Sequence, residues 1–308
     1  MTSVRVPPSS RRLPPGLIIN ADDLGIHPSI DAGILSAYRE GLLTSCTMLM
    51  TTPYFDQTVR DYVRPAALPI GVHLSLTLGK AIAPMRDVPD LVDEAGNLKL
   101  SAARIIAANL ARRPQLISQI RRELEAQLGR ARDCGLRPTH ADSHQHVHMN
   151  PAIFTMLEEV LPRYGIDRLR YSREVSPAFA LQSDLPAVLR RLNPAKWALL
   201  RWRSAQVRPT LATTDAFFGA VHSGALSKRA LVSMIATLDA HSSLEICIHP
   251  GFPAPAGENY YPRPGYNAFI ASSARRLEHD VLVDAEVQQF VRARGLILRA
   301  FDGREKEA

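Results

Sequence analysis

Short apolar runs alternate with longer amphipathic stretches along most of the chain. The short runs are bounded by glycine, proline or polar residues, which is typical of strands, whereas the longer stretches repeat apolar residues every three or four positions, as amphipathic helices do. Because the two kinds of segment alternate with no clear linker, the pattern predicts one parallel α/β domain. The predicted strands are 17–19, 44–50, 69–77, 169–171, 213–219, 244–248 and 296–298, and the predicted helices are 29–40, 54–62, 102–134, 152–164, 226–238 and 285–294.

Composition indicates a folded protein with a large core. Of the 308 residues, 46% are apolar and 22% are charged, which is ordinary for a globular domain. Residues 1–16 are rich in Pro, Ser and Arg and lack the apolar core of a signal peptide, so we expect a disordered N-terminal arm before a folded domain over 17–308. The three cysteines are far apart and odd in number, which favours a reducing compartment, and no apolar run reaches the roughly 18–20 residues of a membrane span. We therefore expect a cytoplasmic protein.

The formal charge of +7 is concentrated in two places. Three basic residues lie in the N-terminal arm, and six lie between Leu185 and Thr214 with no acidic residue among them. The rest of the chain has slightly more acidic than basic residues. A nucleic-acid-binding domain spreads its basic residues over a folded face and contains a recognisable module, and the sequence shows neither, so we expect no nucleic-acid partner.

The second of these places, which we call the basic Trp segment (residues 186–209), contains both tryptophans, Trp197 and Trp202. Basic amphipathic segments with tryptophan can lie at a membrane interface. A helical insertion that packs over the mouth of the domain explains the same composition. The pattern leaves both interpretations open.

Four of the ten histidines lie within nine residues, between His140 and His148. A buried face must satisfy every ring nitrogen with a hydrogen bond, and a solvent-facing strand has no need of imidazole. The row therefore indicates a metal or acid–base site at a strand end, with a histidine-rich surface loop as the alternative. In an extended strand, every second side chain points to the same face. The alternate positions of this row, which would share one face, are His140, Asp142, His144, His146 and His148.

Other predicted strands also end in ionisable groups. Asp22 and Asp23 follow the first apolar run, and a glycine two residues later permits the turn that neighbouring carboxylates need in order to share a site. His73 lies on the polar side of the third strand, and His249 follows the apolar run 244–248. Parallel strands present their carboxyl ends on one face, so these groups can converge with the histidine row. A divalent ion held by one carboxylate and two imidazoles, with a spare base and acid, points to metal-assisted hydrolysis.

Four motifs follow one another along the chain: Asn-Ala-Asp-Asp-Leu-Gly at 20–25, Gly-Val-His-Leu-Ser-Leu-Thr at 71–77, His-Ala-Asp-Ser-His-Gln-His-Val-His-Met at 140–149 and His-Pro at 249–250. In this order they resemble the motifs of the YdjC-like (ChbG/HpnK) carbohydrate deacetylases, and the resemblance extends from Leu17 to Phe301. It implies a (β/α) barrel of the polysaccharide-deacetylase type, often distorted, that hydrolyses the N-acetyl group of an amino sugar and releases acetate.

The resemblance also implies a role for each candidate residue. Asp23, His73 and His144 would bind a divalent ion, either magnesium or zinc. Asp22 would be the general base, and His249 would protonate the departing amine. Four further residues are candidates for contact with the substrate, namely His146, His148, Asp215 and Phe218.

Two substrate branches are open within this family. One acts on chito-oligosaccharides, and the other, associated with hopanoid glycolipid biosynthesis, acts on an N-acetylglucosaminyl lipid. The basic Trp segment resembles an insertion of the hopanoid-associated branch, which would suit a lipid-linked substrate and a peripheral contact with the inner membrane. The motifs at 144–149 and 249–253 are nearer the chito-oligosaccharide pattern. We expect an N-acetylated sugar substrate, free or lipid-linked.

Two other classes of function fit part of the pattern. A non-haem iron oxygenase also uses two histidines and one carboxylate, but it is expected on an all-β fold with a His-x-Asp pair. A non-catalytic adaptor at a membrane surface would use the arm and the basic Trp segment, and it would leave the ionisable strand ends unexplained.

Overall fold

The computed structural model describes residues 12–175, 187–239 and 241–307. The strands are β1 (Gly16–Leu24), β2 (Ser45–Leu49), β3 (Ile70–Leu74), β4 (Ala141–Ser143), β5 (Ala216–Phe218), β6 (Ser243–Ile248), β7 (Leu298–Arg299) and β8 (Glu305–Lys306). The helices are α1 (Pro28–Glu40), α2 (Phe55–Thr58), α3 (Arg64–Ala66), α4 (Ala102–Ala107), α5 (Pro114–Asp133), α6 (Pro151–Val160), α7 (Ala187–Ser204), α8 (Lys228–Ala236), α9 (Pro264–Ile270), α10 (Ala274–Val283) and α11 (Ala285–Ala293).

Six parallel strands form a curled sheet in the order β4-β3-β2-β1-β6-β5. Its two edges are joined by an irregular segment, residues 167–175, which we call the seam. Leu169 bridges to β4 on one side, while Arg168 and Glu174 bridge to Ala212 and Phe217 on the other. The predicted strand 169–171 is therefore not a regular strand, since within it only Leu169 forms a bridge. The expected fold, a single distorted (β/α) barrel, is confirmed.

The strands have continuous apolar sequences because both faces of the sheet are buried. All nine residues of β1 are buried, because the barrel interior covers one face and helices cover the other. Helix α1 begins with Pro28 at its first turn, after His27, whose Nδ1 accepts a hydrogen bond from the backbone N–H of Ser29. Its buried positions, Ile30, Ile34 and Ala37, recur at helical spacing and pack into the main core.

Two boundaries differ from the sequence expectation. The predicted helix 102–134 is two helices, α4 and α5, because Pro114 lacks a backbone N–H and begins a new helix. Most of the predicted N-terminal arm lies outside the described residues, but its last part contacts the barrel. Arg12 forms an ion pair with Asp215 at 2.9 Å, and the side chain of Leu13 is buried.

Most of the basic Trp segment is helix α7, which crosses the side of the barrel where the strands end; Pro186 lies outside the described residues. Asn193 and Lys196 donate hydrogen bonds to the carbonyls of Val221 and Ala220, in the turn after β5. Arg203 donates to the carbonyl of Ala108 at 3.1 Å, just past α4. The helix thus packs over the mouth of the barrel. No helix in the described part of the chain is long and apolar enough to cross a membrane.

We expect Gly33→Ala to destabilise the protein by about 1–3 kcal/mol, because a Cβ at Gly33 would lie 2.5 Å from the Cα of Gly251. This contact holds α1 against the turn that follows His249. Gly129→Ala is the matched control, since Gly129 lies in α5 with nothing within 4 Å of its added Cβ, and alanine should stabilise that helix by about 0.5–1 kcal/mol. Denaturant unfolding of both variants measures the difference, and a Gly33→Ala variant as stable as Gly129→Ala would contradict the close contact.

Candidate active site

The end of β1 directs two neighbouring carboxylates into one site. Asp23 has a left-handed backbone, with φ of 69°, and the pairing of β1 with β2 shifts register between Ala21 and Leu24. Aspartate is one of the few residues with a side chain that tolerates this conformation. The irregularity breaks the alternation of a regular strand, so Asp22 and Asp23 both line the same cavity. The turn that their pairing requires occurs at Asp23 itself, before Gly25.

Asp23, His73 and His144 converge although they lie on three different strands or strand ends. Asp23 Oδ1 lies 3.5 Å from His73 Nε2 and 3.1 Å from His144 Nδ1. One ligand atom from each residue lies within 4.8 Å of the others, and all three side chains are buried. The second oxygen of Asp23 accepts a hydrogen bond from Arg275 Nη2 at 2.8 Å. Burial opposes ionisation of Asp23, but the charge of Arg275 and the hydrogen bonds of His144 and His73 together outweigh it and hold the pKa of Asp23 well below its usual range.

These three residues fit a divalent metal ion. His73 Nδ1 lies 2.6 Å from Asp142 Oδ1, and such a contact with a carboxylate orients a metal-binding imidazole and leaves its Nε2 free for the ion. His144 Nε2 is buried and has no hydrogen-bond partner among the described residues. Burial disfavours a charged imidazole, yet Asp142 and Asp22 raise the pKa of His73 to about 10. The cluster thus has an excess of negative charge that a proton or a cation neutralises.

Asp22 is held by a buried arginine. Arg170 donates from Nη1 and Nη2 to the two oxygens of Asp22, both at 2.7 Å, in the fork-to-fork geometry of a strong pair. Arg170 also contacts Asp142 and Glu245, each at 2.6 Å. Burial alone would raise the pKa of Asp22, but the guanidinium lowers it well below the usual range. Asp22 is therefore ionised and fixed in orientation.

His249 follows β6 and lies beside Asp22. A ring nitrogen of His249 lies within 4.8 Å of a carboxylate oxygen of Asp22. Ser223 Oγ is 3.3 Å from both ring nitrogens, and the backbone N–H of His249 donates to Glu278 Oε2 at 2.6 Å. Burial lowers the pKa of His249 to about 4, so its ring is neutral near pH 7 in this state of the protein.

All five of these residues open into one cavity of about 900 Å³ at the carboxyl ends of the strands. Its outer wall is mostly aliphatic, with Ile106 from α4 and Ala195 and Leu199 from α7. Tyr266 and Phe269, from α9, form another part of the wall. The cavity has the position and the mixed lining of a small-molecule site in a (β/α) barrel.

The histidine row does not form one face of a strand, which corrects the sequence expectation. Strand β4 ends at Ser143, and the following turn contains Gln145 and His146 in the left-handed region, with φ of 57° and 58°. Such residues cost about 1–3 kcal/mol each and cluster at functional sites. The turn places His144, Gln145 and His146 in the cavity wall. His146 is held by a 2.9 Å contact between its Nδ1 and Ser172 Oγ.

The structure places three of the candidate substrate residues away from this cavity. His148 is fully buried behind the cavity, where its Nε2 donates to the carbonyl of Arg170 at 3.1 Å. Asp215 precedes β5, at the opposite end of the barrel, and accepts hydrogen bonds from the backbone N–H and the hydroxyl of Ser243. Phe218 is fully buried and packs against the ring of His222. None of the three is among the described residues that line the cavity.

Sequence reasoning missed Arg170, Arg275 and Lys196, and it noticed Asp142 without its role. Arg170 lies in the predicted strand 169–171 and carries no local sign that it pairs with Asp22. Lys196 belongs to the basic Trp segment, where it is one cation among six, yet it lines the cavity. Asp142 shares the parity of the histidine row, which is the one signal that could have assigned it to His73.

Comparison with known proteins gives a consistent result. A chain named carbohydrate deacetylase from Geobacillus stearothermophilus is 31% identical over 252 residues, covering 80% of this chain and 85% of that one. A chitooligosaccharide deacetylase from Serratia marcescens is 30% identical over 290 residues, covering 92% and 97%. The crystal structure of an Enterococcus faecalis V583 protein superposes with a TM-score of 0.68 at 26% identity, covering 93% of this chain and 97% of that one. The family model described as YdjC-like protein matches residues 16–293, so the chain belongs to the YdjC-like family.

Proposed function

We propose that the protein hydrolyses the N-acetyl group of an N-acetylated amino sugar and releases acetate. The observation that carries the proposal is the convergence of Asp23, His73 and His144 beside the ionised Asp22 and the imidazole of His249, in a single cavity. Amide hydrolysis needs a base for water, a means to polarise the carbonyl and an acid for the amine. Relatives named carbohydrate deacetylase and chitooligosaccharide deacetylase support the same reaction.

Asp23, His73 and His144 are the proposed ligands of a divalent ion, magnesium or zinc. One carboxylate oxygen and two imidazole nitrogens leave coordination positions open, as catalytic sites require. When bound, the ion polarises the acetamido carbonyl and lowers the pKa of water. Asp142 holds His73 in the orientation that this role needs, and Arg275 neutralises the oxygen of Asp23 that points away from His144.

Asp22 and His249 are the proposed proton carriers. Asp22 is ionised and oriented by Arg170, so it can accept a proton from the attacking water. His249 starts neutral, because burial lowers its pKa to about 4, and it must gain a proton before it can act as an acid. The low pKa of Asp22 makes it a ready donor to the nearby imidazole. In this scheme the proton taken from water passes to His249 and then to the amine that leaves.

The substrate is a sugar carrying an acetamido group, and the walls of the cavity favour a lipid-linked form, as in hopanoid glycolipid biosynthesis. His146 lies in the cavity wall, where it is placed to contact a sugar. Leu192 and Trp202 of α7 are 60% and 54% exposed, which is high for large apolar side chains. Leu199 and Ala195 continue the same helix face into the cavity. A lipid tail, and with it the surface of the inner membrane, would cover this apolar face.

The other two classes of function explain less of the structure. The oxygenase was expected on an all-β fold, whereas the chain is a parallel (β/α) barrel of the YdjC-like family. An adaptor would not need a carboxylate held by Arg170 beside a cluster that fits a metal ion.

We expect Asp22→Asn to reduce acetate release from N-acetylglucosamine oligomers by at least about 100-fold, because it removes the base. Asp215→Asn is the matched control, since Asp215 lies at the opposite end of the barrel, and it should keep turnover within about threefold. Acetate release near the wild-type rate in Asp22→Asn, in protein with normal metal content, would assign the base to another residue.

Removal of divalent ions with a chelator should abolish acetate release, and addition of zinc or magnesium should restore it. Elemental analysis should find about one equivalent of metal in the wild type and much less in His144→Ala, because ligand loss weakens binding. Undiminished activity in metal-stripped protein would rule out the proposed role of the three ligands.

Leu192→Ser combined with Trp202→Ser should weaken binding to anionic lipid vesicles by about tenfold or more, since it removes two exposed apolar side chains of α7. Ile297→Ser is the control, because Ile297 is 43% exposed at the opposite end of the barrel. Vesicle sedimentation measures the effect. Equal sedimentation of all three proteins would exclude a membrane contact through α7.

A further inference from the structure

Lys196 is a cation in the wall of the cavity with no direct ionic partner. It lies on α7 and donates a hydrogen bond to the carbonyl of Ala220. No carboxylate of the described residues lies within 4.0 Å of its ammonium. The two buried arginines of the site differ in this respect, because Arg170 contacts three carboxylates and Arg275 contacts Asp23.

The surroundings of Lys196 do not account for its charge. Glu174 is the carboxylate that attracts it, but Glu174 accepts a hydrogen bond from the backbone N–H of Gly219 at 3.0 Å instead of forming an ion pair with Lys196. Burial lowers the pKa of Lys196, and its neighbours on the same face of α7, Ala195 and Leu199, are aliphatic. A cation that is largely removed from water without a partner is costly to maintain, so its presence calls for a reason.

The position of Lys196 supplies that reason. It lines the same cavity as His146, in the strained turn after β4, and His249, at the end of β6. An ammonium has three donors, and within the described part of the chain one of them reaches a protein acceptor. The remaining donors lie at the cavity, where a ligand with several oxygen atoms would satisfy them.

We propose that Lys196 is a substrate-binding residue that donates hydrogen bonds to hydroxyl or ring oxygens of the sugar bearing the acetamido group. This inference rests on the proposed function, and it assigns to α7 a polar contact with the sugar as well as an aliphatic wall. The basic Trp segment thereby contributes to substrate recognition. Among its described residues, Lys196 is the cation that lines the cavity.

The first test compares Lys196→Met with Arg191→Met, an exposed cation on the same helix. With N-acetylglucosamine oligomers as substrate, Lys196→Met should raise KM about tenfold, as expected for loss of a hydrogen bond from a charged donor, and keep kcat within about threefold. Arg191→Met should leave both constants unchanged. Lys196→Gln keeps a donor for the Ala220 carbonyl without the charge and should give an intermediate KM. A fall confined to kcat, or an unchanged KM in Lys196→Met with a wild-type melting temperature, would overturn the proposal.

A second measurement separates this inference from the proposed reaction. Calorimetric binding of N-acetylglucosamine oligomers to Asp22→Asn, with and without Lys196→Met, reports affinity without turnover. Binding that is about tenfold weaker with Lys196→Met supports the contact even if the wild type releases no acetate from these oligomers or from an N-acetylglucosaminyl lipid, a result that would refute the deacetylase proposal alone. Equal affinity of the two proteins would overturn the role of Lys196.

Discussion

The rest of the structure depends on the buried ion pairs that the guanidinium of Arg170 forms with three carboxylates. The guanidinium lies in the barrel interior and contacts Asp22 on β1, Asp142 on β4 and Glu245 on β6. Breaking a buried ion pair by removing one partner costs about 3–5 kcal/mol, since the other charge is left without compensation. Because Arg170 belongs to the seam, the same side chain ties that segment to β1, β4 and β6 and fixes the carboxylate proposed as the base. The contacts of Arg170 that help to close the barrel are therefore also the contacts that orient Asp22.

The charge balance around Arg170 explains the condition of the cluster. Three carboxylates face one guanidinium, and burial raises the pKa of Glu245 to about 7, so the excess is partly removed by a proton. The remaining negative charge favours a protonated His73, because Asp142 and Asp22 raise the pKa of its imidazole to about 10. A divalent cation at Asp23, His73 and His144 would neutralise the same excess. The barrel interior thus holds a polar network that such a cation would complete.

Irregular backbone lies where the site needs side chains off the regular path. Asp23, Gln145 and His146 all adopt left-handed conformations at strand ends. Each one turns a side chain that a regular strand would direct elsewhere, and the close contact between Gly33 and Gly251 supports the turn after His249. Helix α7 then closes one side of the mouth with aliphatic groups and Lys196. The strands of the barrel place the backbone of each site residue, and the left-handed residues at the strand ends orient the side chains.

The sequence by itself determined the fold class and four of the strand ends that meet in the site, because buried parallel strands and amphipathic helices leave a periodic pattern that is read locally. Asp22, Asp23 and His249 could be found because each follows an apolar run, His73 because it lies on the polar side of a predicted strand, and His144 because it belongs to the histidine row. Three facts depend on the tertiary structure. Arg170 pairs with Asp22, which is 148 residues away, His148 lies behind the cavity, and Asp215 lies at the opposite end of the barrel. Those facts depend on how the sheet closes and where a strand stops, and local periodicity carries no record of contacts made across the barrel.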